Sequence, residues 1–434
     1  MATFGPGGFY ANAGFADYPP AYLYVLWLVG AVNHAIPSLD LAVLVKLPAQ
    51  LADIAVGYLV YRLVLGWCRP GRRAGTLALI AAAAYLFNPV TIYDSAIWGQ
   101  TDAVGGLVIL LGVAALVRGN SEGALALAVV AGLVKPQFGV VLAPIAVAVL
   151  LGRHLLRPGS GPRSAPWGPA PLRRLLATHQ GPVRLLTSAL VAVVTFYVVA
   201  LPFGLGPKEY LDLMAQTAAG YAGVSVNAYN PWALVGTEGY QGLAFQWWWS
   251  NDTAPWLGPI TPLVVGVVLL ALGYLWGFIR ALVAPDRWTV ILATTWLAFG
   301  FFILPTRVHE RYLFPVFALL PLLAVVRTRW MVALVLVALG SLINLHGVLM
   351  LPGYATEVIA GWPLGAEMGP GRPFAVILSL SLQTAGAALA AWELRRRLVP
   401  DPYELVAGEV GTATEVGRIP DHARPVSAGA PATA

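Results

Sequence analysis

AGTLALIAAAAYLFNPVTIYDSAIWGQTDAVGGLVILLGVAALVR, residues 74–118, decides the fold class. Two apolar runs, about 75–97 and 103–118, flank a polar break containing Asp94, Gln100 and Asp102. Arg72 and Arg73 precede the first run, and Arg118 closes the second. Runs this poor in charge predict helices solvated by lipid. Arginines at both far ends place those ends on the cytosolic side. The pair therefore reads as a membrane hairpin, with its acids at the opposite face.

The rest of the chain follows the same pattern. Of 434 residues, 58% are hydrophobic and 11% are charged, with a mean hydropathy of +0.73. A soluble surface needs about twice that charge. Apolar runs recur at about 41–66, 75–97, 103–118, 122–134, 137–152, 184–203, 260–283, 288–304, 313–327, 330–350 and 373–394. The expected fold is all-α: a polytopic integral membrane protein of about 11 transmembrane helices, with interfacial helices in its outer loops. Residues 1–398 read as one membrane domain. Residues 1–40 form its first outer loop and 205–259 a long outer loop. Residues 399–434 read as a disordered cytoplasmic tail, from their polar, Ala/Thr/Pro/Glu-rich composition. The single Cys68 excludes an intrachain disulfide framework and a cysteine-based zinc site.

The basic residues set the orientation. With residues 1–40 outside, 19 Lys and Arg fall on inner segments and five on outer ones. Lys135, Lys208, Arg307, Arg311 and Arg372 are the outer five. Counting 20–37 as a further crossing inverts this distribution, so that segment is expected to lie on or dip into the outer leaflet. Tyr18, Tyr22, Tyr24 and Trp27 would anchor it at interface depth. The net charge of +6 thus has a topological explanation and signals no nucleic-acid partner.

This topology gathers the polar residues at one face. FADYPP brings Asp17 and Tyr18, and the first hairpin brings Asn88, Asp94, Trp98, Gln100 and Asp102. Lys135 and Gln137 come from LVKPQF, and Asn227, Asn230 and Trp232 from SVNAYNPW. LPTRVHERYLFP adds Arg307, His309, Glu310 and Arg311. Ionisable residues at membrane depth face a cavity and one another, because lipid exposure costs several kcal/mol. Each also has a plain structural reading. Lys135 suits a snorkelling helix end, Asp17 a turn before Pro-Pro, and Glu310 an ion pair with Arg311 or Arg307. His309 suits an interface, Asn227 and Asn230 suit caps or turns, and Trp247–Trp249 suit an interfacial anchor. As a group, Lys135, Arg307, Arg311 and His309 suit a lipid-borne phosphate. Asp17 or Asp102 suits a general base on an acceptor hydroxyl.

Five stretches carry a resemblance: FADYPPAYLY at 15–24, DSAIWGQTDA at 94–103, KPQF at 135–138, SVNAYNPW at 225–232 and VHERYLFP at 308–315. In this order they resemble the GT-C superfamily of polyprenyl-phosphate-sugar-dependent glycosyltransferases. The similarity is greatest to bacterial mannosyltransferase-like members and more distant to dolichyl-phosphate-glucose glucosyltransferases. The resemblance implies inverting transfer of a hexose, mannose favoured, from a polyprenyl-phosphate sugar to a lipid or glycan acceptor. No cofactor or metal is expected. Asp17 and Asp102 would be catalytic, and Lys135, Arg307, His309 and Arg311 would hold the donor phosphate. Tyr18, Asp94, Trp98, Gln100, Gln137, Asn227, Asn230 and Glu310 would line the cleft. The expected location is the cell membrane, with the active site extracytoplasmic and the C-terminus cytoplasmic. Family members begin with a further helix and an acid at the head of the first loop, whereas Met1 here falls inside that loop. A missing first helix is therefore expected. The alternatives are a transporter or flippase of lipid-linked sugars, or an inactive truncated relative.

Overall fold

The computed structural model describes residues 5–13, 16–68, 70–158, 181–237, 250–350, 364–369, 372–396 and 401–405. Helices α1 (Pro20–Ala35), α2 (Leu41–Trp67), α3 (Arg72–Leu86), α4 (Asp102–Val117) and α5 (Ser121–Val134) come first. Next are α6 (Pro136–Leu151), α7 (Pro182–Ala200), α8 (Pro207–Ala219), α9 (Pro262–Val283) and α10 (Arg287–Ile303). The last three are α11 (Pro315–Ala324), α12 (Thr328–Leu349) and α13 (Pro373–Arg395). Among the described residues, extended pairing is limited to isolated bridges such as Val226 with His309. The fold is all-helical.

Each of the eleven predicted apolar segments contains a helix. Six helices are long and apolar enough to cross a membrane, and a bent pair, Arg72–Leu86 with Pro89–Trp98, makes a seventh candidate. Four more apolar helices, α4, α5, α10 and α11, are shorter. The protein is a multi-pass membrane protein.

Length and position are correlated. The ten residues of α11 are all buried, as are most of α4 and α10. By contrast, only 11% of the most apolar stretch of α7 is covered by protein, and 17% of that of α9. Those two helices expose Leu186, Leu190 and Val198, and Val264, Val268 and Leu272. Bare valine and leucine faces of this kind belong against lipid. A helix enclosed by other helices need not reach the headgroups itself, so the inner helices can be short. At 1.5 Å per residue, α11 is only ~15 Å long.

The predicted span 75–97 is broken, with a bend of 43°. Pro89 has no amide hydrogen to donate, and the Asn88 side chain instead caps Val90 N at 2.9 Å. The chain then widens into a π-helix, Tyr93–Trp98, which ends on Gly99 at φ +83°. Segment 20–37 forms α1, packed on α2 and α5. Within the long loop 205–259, α8 is a helix without a single buried residue. Trp247–Trp249, Arg163, Arg173, Arg174, Arg397 and the tail from 406 lie outside the described residues.

Helices α5 and α6 meet at a sharp corner. Lys135 is extended there, at φ −162° and ψ 136°, between the C-terminus of α5 and Pro136 at the start of α6. The corner closes because Gly132 and Gly139 let the two backbones touch. A methyl group on Gly139 would lie 2.6 Å from the Gly132 Cα. Gly139→Ala is therefore expected to lower the thermal unfolding midpoint, at a cost of about 1–3 kcal/mol. Gly30→Ala, where an added methyl meets nothing within 4 Å, is expected to cost nothing. Equal midpoints for the two variants in a detergent thermal-shift assay would refute the corner argument.

Candidate functional site

The loops that leave these helices enclose a cavity of about 290 Å³. Its polar lining comes from residues far apart in sequence: Asp17, Tyr18, Lys135, Gln137, Arg307, His309 and Arg311. The lining also has apolar members: Met214 and Ala218 of α8, Leu263 and Val267 of α9, and Phe301, which stacks on Tyr312. Val267 is also 54% exposed on the outer face of α9. The apolar part of the lining thus continues onto the surface that faces lipid.

Lys135 reaches the cavity because it sits at the α5–α6 corner. Its ammonium lies 5.8 Å from the Tyr18 ring and 5.7 Å from the Tyr312 ring, an arrangement that stabilises a cation. Behind it, Asp102 Oδ1 accepts from Gln137 Nε2 at 2.9 Å and from Lys135 Nζ at 3.4 Å. Asp102 opens α4, where an acid complements the helix dipole. Arg311 Nε stands 3.7 Å from Asp102 Oδ2, and its Nη1 donates to Glu310 Oε1 at 2.6 Å. Asp102 and Glu310 are buried behind the cavity wall. Burial pushes the Glu310 carboxyl up from the usual carboxylate range, against the pull of Arg311.

Arg307 has a structural partner that the sequence did not single out. Its Nε and Nη2 donate to the two oxygens of Asp252 at 2.8 and 3.0 Å, and its Nη1 donates to the Ala218 carbonyl at 2.8 Å. Thr306 Oγ1 adds a bond to Asp252 at 2.7 Å. The Arg307 backbone is left-handed, at φ +63°, a strained state for a residue with a Cβ. These bonds hold it there. Neighbouring His309 packs edge-on to Tyr221, with ring centroids 4.9 Å apart. Burial, helped by Arg311 and Lys135, holds its imidazole well below its ordinary pKa of 6.5. It is therefore neutral near pH 7.

Other predicted residues stand elsewhere. Asn227 and Asn230 do not line the cavity but tie their loop to helices α12 and α10. Asn344 Nδ2 donates to the Asn227 carbonyl at 2.8 Å, and Asn230 Nδ2 donates to the Phe302 carbonyl at 2.8 Å. Asp94 is fully buried behind Asp102, with no hydrogen-bond partner for either carboxylate oxygen among the described residues. Trp98 lies under Arg311, 5.9 Å from the guanidinium carbon to the ring centroid. Gln100 also lies outside the lining; its backbone N–H donates to the Asp94 carbonyl at 2.9 Å. Asp17 does line the cavity, and its Oδ2 accepts from the Tyr221 hydroxyl at 3.2 Å. Among the described residues, no three His, Cys, Asp or Glu side chains converge as metal ligands. Sequence reasoning missed Asp252, Tyr221, Tyr312 and the apolar part of the lining. For Asp252 the only local signal was Asn-Asp-Thr at 251–253, which reads as a turn.

Residues 10–203 match the family model of the GPI transamidase subunit PIG-U. The matched segment includes Asp17, Tyr18, Asp94, Trp98, Gln100, Asp102, Lys135 and Gln137, and ends before Arg307–Arg311. No individual curated protein matches the chain. The family match corrects the expected activity. A transamidase subunit is neither a hexosyltransferase using a polyprenyl-phosphate sugar nor a carrier of lipid-linked sugars, so the glycosyltransferase, flippase and inactive-relative readings are withdrawn. The geometry supplies a physical reason for the error. Residue types that suit a phosphate clamp are here occupied in pairing with buried acids.

Two measurements test this site. Removing Asp252 leaves the Arg307 guanidinium unpaired, and breaking such a pair costs about 3–5 kcal/mol when buried. Arg307 is partly exposed, so Asp252→Ala is expected near the lower end, and adding Arg307→Ala should recover part of the loss. Strict additivity in this double-mutant cycle would show the pair to be uncoupled. For His309 the folded pKa lies below the unfolded value. As pH falls below about 6.5 the unfolded chain binds a proton that the folded chain refuses, so stability is lost. The drop in midpoint between pH 7.5 and pH 5 should therefore be smaller in His309→Gln than in the parent chain.

Proposed function

We propose that this protein is a non-catalytic membrane subunit. It would hold the headgroup of a lipid-anchored substrate in the cavity beside α9 and present it to a catalytic partner protein. The observation that carries this reading is the cavity's mixed lining. Ionisable and aromatic groups share it with apolar side chains of α8 and α9, and one of these, Val267, is also exposed on the apolar surface of α9. An amphiphile fits such a site with its chain along α9 and its head among Tyr18, Lys135 and His309. Small-ligand sites combine an apolar wall with a few convergent polar groups in this way. The similarity to a subunit of a transamidase acting with a lipid anchor supports the same division of labour.

On this reading the four short inner helices complete eleven passes, in a GT-C-like arrangement of helices. The arginine-rich loops then face the cytosol, and the cavity opens on the other side. The lipid and the partner protein are its two ligands.

The reading is tested by occluding the cavity. Thr217 sits on its rim and is partly exposed, so Thr217→Trp should fill the entrance while the helices still fold. Native mass spectrometry of the full chain extracted from membranes is expected to show one retained phospholipid or glycolipid. The tryptophan variant should lose it at an unchanged unfolding midpoint. Equal lipid retention by both proteins would remove the cavity as the lipid site.

A further inference from the structure

Every cation at the cavity wall already has an acid behind it. Lys135 Nζ is 3.4 Å from Asp102, Arg311 is 2.6 Å from Glu310, and Arg307 grips Asp252 through two nitrogens. The side chains of those three acids are almost wholly sealed from solvent, so a ligand cannot displace the cations from them without leaving a buried acid unpaired. His309 is neutral and adds no charge. Asp94, deeper still, adds no positive charge in either protonation state. Apart from the tyrosine hydroxyls, the remaining ionisable group on the lining is Asp17. It accepts one hydrogen bond from Tyr221, and among the described residues no cation lies within ion-pairing distance of it.

The ground beyond Asp17 has the same sign. A second cavity of about 420 Å³ shares Thr217 with the first and begins at Ala16. Its lining carries Glu209, Asp212 and Gln216, and no lysine or arginine. Lys208 pairs with Asp212 at 2.6 Å and compensates its charge, which leaves Glu209, bonded only to the Gly206 N–H at 3.1 Å, as the acid of that lining with no cation partner among the described residues. The field across Asp17 and Thr217 therefore favours a positive group. A bare phosphate would meet cations that are already neutralised and a carboxylate that is not.

We infer that the headgroup taken up here carries a cationic amine, which pairs with Asp17 at the junction of the two cavities. This rests on the reading of the cavity as a lipid-headgroup site and specifies its ligand class. The ammonium donates to Asp17 Oδ1 and Oδ2 while Tyr221 keeps the carboxylate aimed. The acyl chains lie along the α9 wall. Any phosphate of the headgroup is secondary to the amine in recognition.

The test uses the full chain in detergent with three short-chain lipids. Phosphatidylethanolamine carries both amine and phosphate, its N-acetylated derivative keeps the phosphate and loses the positive charge, and phosphatidic acid has the phosphate alone. Binding of phosphatidylethanolamine is expected to be roughly tenfold tighter than that of the N-acetylated lipid, a difference of about 1.4 kcal/mol. Asp17→Asn retains an oxygen for Tyr221 and should bring phosphatidylethanolamine down to the N-acetylated level while leaving the N-acetylated lipid unchanged. Tighter binding of phosphatidic acid, or indifference to Asp17→Asn, overturns the inference and leaves the headgroup reading intact. Binding of all three lipids that persists unchanged in Thr217→Trp places them away from the cavity and overturns both.

Discussion

The site depends on one constraint: charges carried to membrane depth must be neutralised by protein rather than water. Asp102 is the point where this is done. It receives the α5–α6 corner through Lys135 and Gln137 and attracts loop 304–314 through Arg311. Two segments, one of them about two hundred residues away in sequence, are thereby fixed to the first turn of α4. In a low-dielectric interior the loss of any one partner strands the others, at several kcal/mol. The same charges that suggest chemistry therefore act first as architecture. Asp252 repeats the device on the other flank of the loop, holding Arg307 in a conformation its backbone resists.

Much of the fold was legible because lipid leaves few solutions. Apolar runs bounded by arginine predict helices whatever their partners, and all eleven runs contain one. Their lengths were not legible. The run 313–327 shortens to Pro315–Ala324: Leu313 and Phe314 stay in the turns that follow His309, and Val325 and Val326 turn towards the next helix. The break at Asn88-Pro89 was written in the sequence, as a capping residue before an N1 proline, yet the apolar run around it read as continuous. Asp17, Tyr18, Lys135, Gln137, Arg307, His309 and Arg311, which the charge pattern led us to expect at one face, line one cavity. Which of them remains free to meet a ligand was not legible. That property depends on Asp252, 55 residues from Arg307, and on Asp102, 33 residues from Lys135, and such pairing leaves no local trace; only the adjacent Glu310–Arg311 pair could be read from the sequence. The activity was misread for the same reason: motif similarity registers residue types and order, and a cation paired with a buried acid has the same letter as one awaiting a phosphate.

The pairing also governs how substitutions at this site should be understood. Lys135→Ala would weaken any ligand's binding, but it would also leave Asp102 with one donor fewer and release the α5–α6 corner. A loss of function there is ambiguous between contact and collapse. Asp17 differs in kind. Among the described residues its carboxylate has one hydrogen bond, from Tyr221, and no ion pair, and it is only partly buried. Effects of its removal report on the ligand. The fold has thus separated two tasks that the sequence interleaves. The deep acids and cations hold the cavity's shape, and the shallow carboxylate at the junction with Thr217 is the group left with charge to offer. On the proposed reading such a cavity would tolerate variation in its ligand's chain, which would meet apolar side chains such as Met214, Leu263, Val267 and Phe301. On that same reading, discrimination by charge falls to Asp17, because the cations that share its cavity are already paired with Asp102, Glu310 and Asp252.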